Sequence, residues 1–305
     1  MEKHKDWVAW AVETKALYII LIVCFALYLL TKSVLFAFLV AVSIISLFVA
    51  ESVYSASKTG WKHELKEILI AVAVAGAIWY GGGFILGTSA PLDAIVSCSM
   101  LPHLERGDLV VLQGGVARAP EVSVSREEFD ANNWTNQHLV CVPCGERLCV
   151  NRTMITPKGL VVLGEADQSK NLVQYECGIC GRKMADGRIA EVACTKAISI
   201  KGQRIEPDYS NDVVVYTPAQ GDVFAGETIH RVLARINVEG RYYYLMKGDN
   251  NEQLDIQYGN SPVPQEKVVG KVIFRMPYIG YFKLFLFGFL LTPHGCDSVL
   301  VQETL

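Results

Sequence analysis

The sequence has no excess of positive charge. Across 305 residues the formal net charge is −3, and charged side chains make up 19%. Nucleic acid as the main partner would require a basic stripe, and none is present. The apolar runs of the first half contain no acidic residue, which argues against a transporter or channel built on them. None of the opening reads as a cleaved signal peptide, because three apolar runs follow one another. Beyond residue 91, few stretches have helical periodicity. The nine cysteines do not form a chain-wide disulfide framework. Cys141, Cys144, Cys149, Cys177, Cys180 and Cys194 mark one local unit. Histidine is scarce, with six in all, so candidates for a general base can be weighed singly.

Apolar sequence is abundant. Hydrophobic residues reach 51% and the mean hydropathy is +0.27, the excess lying ahead of residue 90. Residues 1–15 are polar and carry Lys3, Lys5 and Lys15. Ala16–Leu30 and Val34–Ala50 are apolar, separated by Thr31-Lys32-Ser33. Each run is a little short of the ~20 residues that cross a bilayer. A tight hairpin over 16–50 is favoured over one bent element. A continuous helix would be roughly 50 Å long at ~1.5 Å per residue, with Lys32 near its middle in hydrocarbon. Residues 51–67 are polar, with Lys58, Lys62 and Lys66, and read as a cytoplasmic loop. Ile68–Gly87 is the clearest span, placing a third membrane helix at 68–90. The lysine bias puts residues 1–15 and 51–67 in the cytoplasm and residue 91 onward outside.

The exterior part reads as β structure. Leu109–Leu112, Asp212–Tyr216, Tyr242–Met246 and Val268–Phe274 are short apolar runs bounded by turn residues. Two glycosylation sequons, Asn133-Trp134-Thr135 and Asn151-Arg152-Thr153, agree with an outward-facing segment. Within 277–305, Tyr278–Leu291 is apolar except for Lys283. It is short for a span, so a surface-lying or re-entrant segment competes with a fourth helix.

Chemistry points to Ser97-Cys98-Ser99-Met100-Leu101-Pro102, followed by Gly107-Asp108. A serine on a turn is a weak nucleophile until a base takes its proton. His4 and His63 are cytoplasmic in this topology. His230, in Ile229-His230-Arg231-Val232, follows a strand-like run. Lys247-Gly248-Asp249-Asn250-Asn251 comes next, with Asp255 beyond it. Serine, histidine and a carboxylate on neighbouring strands and turns make an acyl-transfer constellation, recognised by roles and not by sequence order.

The serine box, the Asp212–Tyr216 strand, the His230 segment, Lys247–Asn251 with Asp255, and Val269-Gly270-Lys271 through Pro277-Tyr278-Ile279-Gly280 occur in one order. In that order they resemble the archaeal and endoplasmic-reticulum type of signal peptidase I. The resemblance covers roughly residues 90–115 and 208–282. It implies an α-helical membrane anchor and a mainly-β extracytoplasmic peptidase domain over 91–276. It implies Ser99 as nucleophile, since Ser99 directly precedes Met100, and His230 as base. Asp255 and Asp249 are the carboxylates that matter, and either could be the third triad member. Ser97 would help bind the oxyanion with the Ser99 amide. Cys98 departs from the family's usual glycine. The implied substrates are secretory preproteins cut after small residues, at the outer face of the plasma membrane. Membrane lipid is the implied surroundings and a protein translocation channel a further implied partner. No cofactor is needed for this chemistry.

Residues 114–208 separate segments that are close in the family, and so read as an insertion. Cys141-x-x-Cys144-Gly145 and Cys177-x-x-Cys180-Gly181 have the spacing of zinc-ribbon knuckles, in which four thiolates close a structural zinc site. Disulfides are the competing reading for an external segment. Cys149 and Cys194 are a bridge or free thiols, and His138 is a substitute ligand. The alternative to a peptidase is a catalytically idle scaffold or substrate-binding subunit of the same architecture.

Overall fold

Gly60 divides the polar stretch after the second apolar run. Its φ of +89° is one that side chains with a Cβ rarely adopt. In a computed structural model the chain is described for residues 2–31, 33–132, 134, 138–156, 158–293 and 295–301. Lys32, and Asn133 and Thr135 of the first sequon, lie outside these. Two compact units result: residues 1–85 with 279–292, and residues 86–278 with 293–305.

The first unit is helical. Its helices are α1 (Glu2–Glu13), α2 (Ala16–Thr31), α3 (Val34–Thr59) and α4 (Trp61–Leu86). Two of them, α3 and α4, are long and apolar enough to cross a membrane, while α2 is shorter. Leu30, Phe84 and Ile85 are more than 80% exposed. A water-soluble unit would not leave so many such side chains unpacked, so the helices are compatible with a membrane anchor. Antiparallel packing of α2 and α3 lets the Tyr18 hydroxyl donate to Glu51 at 3.2 Å. The expected loop at 51–67 is not a loop. Its polar residues continue α3 to Thr59 and restart as α4 at Trp61, with only Gly60 between.

The second unit is mainly β. Its strands begin with β1 (Leu92–Ala94), β2 (Leu109–Gln113) and β3 (Glu121–Val124), then the short helix α5 (Arg126–Ala131). Next come β4 (Leu139–Cys144), β5 (Arg147–Thr156), β6 (Gly159–Glu165), β7 (Val173–Met184), β8 (Ile189–Ile200) and β9 (Gln203–Ile205). They are followed by β10 (Val213–Tyr216), β11 (Thr228–Val238), β12 (Arg241–Lys247), β13 (Val263–Pro264) and β14 (Val268–Met276). The eight-stranded sheet runs β1-β2-β14-β10-β11-β12-β13, with β3 added in parallel to β11. It is curled and antiparallel apart from that pair.

After β14 the chain enters the first unit as α6 (Tyr281–Leu286). Tyr281 and Phe285 stack edge-on against Tyr28 of α2, with ring centroids 5.2 and 5.1 Å apart. Six residues are too few to span a bilayer. The chain then returns to the second unit as β15 (Ser298–Val301), pairing with β7.

Residues 114–208 are no separable appendage. Val122, Ile198 and Ile200 share one core with Leu233, Ile236, Leu245, Leu254 and Ile256 of the surrounding chain. Neither Cys-x-x-Cys forms a knuckle. Cys141 and Cys144 lie on β4, and Cys177 and Cys180 on β7. Positions three apart on a strand face opposite sides, which works against bringing all four thiols to one ion. They are distributed over three disulfides, Cys141–Cys177, Cys144–Cys149 and Cys180–Cys194. Cys149 and Cys194 are therefore not bonded to each other.

Candidate active site

Closure of the serine box starts at its ends. The Ile95 amide donates to the Asp108 carbonyl and the Gly107 amide to the Ile95 carbonyl, both at 2.9 Å. The Asp108 carboxylate accepts from the Glu105 amide at 2.7 Å and pairs with Arg275 at 2.9 Å. Inside the loop, Met100 is fully buried among Ile95, Val110, Leu112 and Ile229. The methionine thus pins the turn while the neighbouring Ser99 stays partly exposed. The Leu101–Pro102 peptide is cis.

His230 lies on β11, opposite Val214 of β10, and is buried. Its Nε2 is 3.0 Å from Ser99 Oγ and its Nδ1 is 2.6 Å from Asp255 Oδ2. Asp255 opens a 3-10 turn, Asp255–Tyr258. The Tyr216 hydroxyl donates to the same Oδ2 at 2.6 Å. Burial first, then the Asp255 carboxylate, push that hydroxyl well above its usual range, so it remains a donor. Asp255 Oδ1 is buried without a hydrogen-bond partner among the described residues. Ser97 Oγ is 3.2 Å from Ser99 Oγ.

Asp249 points elsewhere. Its two oxygens accept from Arg231 Nε and an η nitrogen at 2.9 and 2.8 Å. His103 Nδ1 lies 3.0 Å from Oδ2. Arg231 also donates to the carbonyls of Tyr209 and Asn211. Of the two candidate carboxylates, Asp255 alone faces the imidazole; Asp249 fixes an arginine.

Residues the motif did not single out hold this geometry. A Cβ on Gly248 would come within 2.8 Å of the Ser99 carbonyl oxygen, so the chain passes there only as glycine. The Asn250 amide donates to that same carbonyl at 2.7 Å. From the insertion, the Thr195 hydroxyl donates to Gln257 at 2.8 Å, and Gln257 Oε1 accepts from the Leu254 amide at 2.9 Å. His138, considered as a metal ligand, instead bonds the Tyr258 carbonyl at 2.8 Å. These contacts clamp the turn that carries Asp255. Ser99 and His230 open onto a cleft of about 510 Å³ whose walls include Val96, Phe224 and Ile229.

Lys247 is buried and donates to the carbonyls of Asn251 and Gly248 at 2.6 and 3.3 Å. Burial outweighs the pull of Asp249 and Asp255, and its amine is pushed down to about 8. The unfolded lysine, near 10.4, holds its proton longer, so unfolding takes up a proton between the two values. Stability from this group is lowest below pH 8 and rises with pH through that window. Thermal unfolding of wild type against Lys247→Met should therefore diverge in favour of wild type between pH 8 and 10. A constant difference would refute the shift.

No protein-family profile matches the chain, and no curated protein matches it. Among the described residues, the one group of side chains close enough to share a metal ion is Cys144, Cys149 and Glu165. Their ligand atoms lie within 4.8 Å of one another, but the two cysteines are disulfide-bonded, and zinc binds the thiolate.

Proposed function

We propose that the protein is a membrane-bound serine endopeptidase of the archaeal and endoplasmic-reticulum signal peptidase type. It removes N-terminal signal peptides from secretory preproteins on the outer face of the plasma membrane. The observation that carries this reading is the continuous chain of hydrogen bonds from Ser99 through His230 to Asp255. The motif order of the sequence supports it, as do apolar helices compatible with an anchor.

In this mechanism His230 Nε2 takes the Ser99 proton while Oγ bonds to the scissile carbonyl carbon. The Ser99 amide and the Ser97 hydroxyl donate to the developing oxyanion; one such donor contributes ~3 kcal/mol. Collapse of the tetrahedral adduct breaks the C–N bond, and His230 returns the proton to the leaving amine. Water, deprotonated by the same imidazole, then releases the acyl group. Asp255 holds the imidazole so that Nε2 faces the serine. The test is cleavage of a model preprotein by the purified full chain in detergent, wild type against Ser99→Ala. Equal cleavage by both would refute the proposal.

For residues 114–208 we favour the oxidised state, disulfides over zinc. Thiol titration in denaturant without reductant should then find one reactive thiol, Cys24, the free cysteine. Metal analysis should find no zinc. Stoichiometric zinc with four further reactive thiols would restore the zinc-ribbon reading.

A further inference from the structure

Ser99 is flanked by a covalent link that the mechanism does not use. Cys98 is bonded to Cys296, 198 residues away. Cys296 belongs to the segment that re-enters the catalytic unit after α6. Asn250 joins the same two pieces of chain. Its side-chain amide donates to the carbonyls of Cys98, Gly295 and Ser298 at 3.1, 3.2 and 3.0 Å. Its Oδ1 accepts from the Leu300 amide at 2.7 Å, and its own amide holds the Ser99 carbonyl at 2.7 Å. Arg182 of β7 donates to the Asn250 carbonyl at 2.9 Å and to Ser298 Oγ at 3.1 Å. The backbone on both sides of the Ser99 Cα is thus tied to residues 295–300.

We infer that Cys98, Cys296 and Asn250 are positioning residues for Ser99, and that reduction of the Cys98–Cys296 disulfide lowers the rate of the chemical step. The inference rests on the proposed peptidase reading. Ser99 must sit within hydrogen-bond reach of His230, and a misplacement of about 1 Å can cost ~10²-fold. Cys98 is buried, but Cys296 is half-exposed between exposed Gly295 and Asp297. A dithiol reductant can therefore reach its sulfur. A dithiol gives two electrons and two protons, the S–S bond becomes two thiols, and the reductant leaves as its own disulfide. By contrast Cys180 and Cys194 are 1% and 0% exposed, which shields that pair.

The test uses the full chain in detergent. The Cys98→Ala/Cys296→Ala double variant removes the link without leaving a reactive thiol. Its kcat on a model preprotein should fall roughly ten- to hundredfold, with KM within about twofold. A Cys144→Ala/Cys149→Ala control should keep wild-type kcat. Dithiothreitol should lower wild-type kcat in step with alkylation of Cys98 and Cys296, and lower that of the double variant by a smaller factor. Reoxidation should restore the wild type. In parallel, amide hydrogen exchange of the peptide 97–104 should quicken in the double variant and not in the control. Unchanged kcat in the double variant overturns the inference whatever the exchange shows, as does a fall in kcat/KM carried by KM alone. If wild type cleaves no preprotein, the peptidase reading fails, and the exchange experiment alone decides: faster exchange confined to 97–104 upholds the tether, unchanged exchange overturns it.

Discussion

Ser99→Ala and His230→Ala should each reduce kcat for preprotein cleavage by at least about 10⁴-fold while leaving the protein folded. Groups that act as one unit lose nearly everything when either is removed. The 3.0 Å contact between Ser99 Oγ and His230 Nε2 makes these two such a unit. Neither truncation should unfold the chain. Ser99 is partly exposed, and removal of one hydroxyl leaves Met100 to hold the turn. His230→Lys should not rescue activity. Its ammonium would sit beside the buried Asp255 carboxylate, and an amine held charged by that neighbour cannot accept a proton. The double variant should be no worse than either single one. Turnover within tenfold of wild type in either single variant would remove that residue from the mechanism.

The two aspartates should separate by the kind of damage they cause. Asp255→Asn presents an amide where His230 Nδ1 needs an acceptor and favours the wrong tautomer. In a serine triad this costs about 10⁴-fold in kcat, with little loss of melting temperature. Asp249→Ala does the reverse. It leaves Arg231 as a buried charge stripped of a bidentate partner. Breaking a buried pair costs about 3–5 kcal/mol, a fall of order 10 °C in a domain of this size. Arg231→Met combined with Asp249→Ala should recover most of that loss, because replacing both partners with apolar groups is often nearly neutral. Thermal unfolding and kcat measured on the same preparations decide it. If Asp249→Ala spares stability and Asp255→Asn spares kcat, the two roles are exchanged.

What was legible in the sequence differs by kind of signal. Ser99, His230 and Asp255 stand on runs that the sequence order singled out, and the fold brings those side chains within hydrogen-bond distance. The same order left Asp249 equivalent to Asp255, because a motif gives chain position and not side-chain direction. Arg231, beside the histidine, is what claims Asp249. The Cys-x-x-Cys spacing suggested turns, yet both pairs lie on strands; between the cysteines Pro143 and Gly178 favour a turn and Val142 and Ile179 a strand, so the local signals oppose each other. Ser298–Val301 has no sequence signature, because four residues beyond an apolar stretch show no period. The core shared by Ile198 and Ile236 was invisible for another reason. Alternation says that a face is buried, not against which other strand.

Cys296 lies 198 residues beyond Cys98, and this separation sets an order of assembly. Contacts so distant in sequence form late, because a long stretch of chain must be gathered before they are made. During synthesis Ser99, His230 and both aspartates all emerge before residues 295–300. A nascent copy therefore carries every group of the site but an unfinished frame. Only a chain extended through Ser298–Val301 can hold that frame, so products terminated before it would be released with the serine still loosely held.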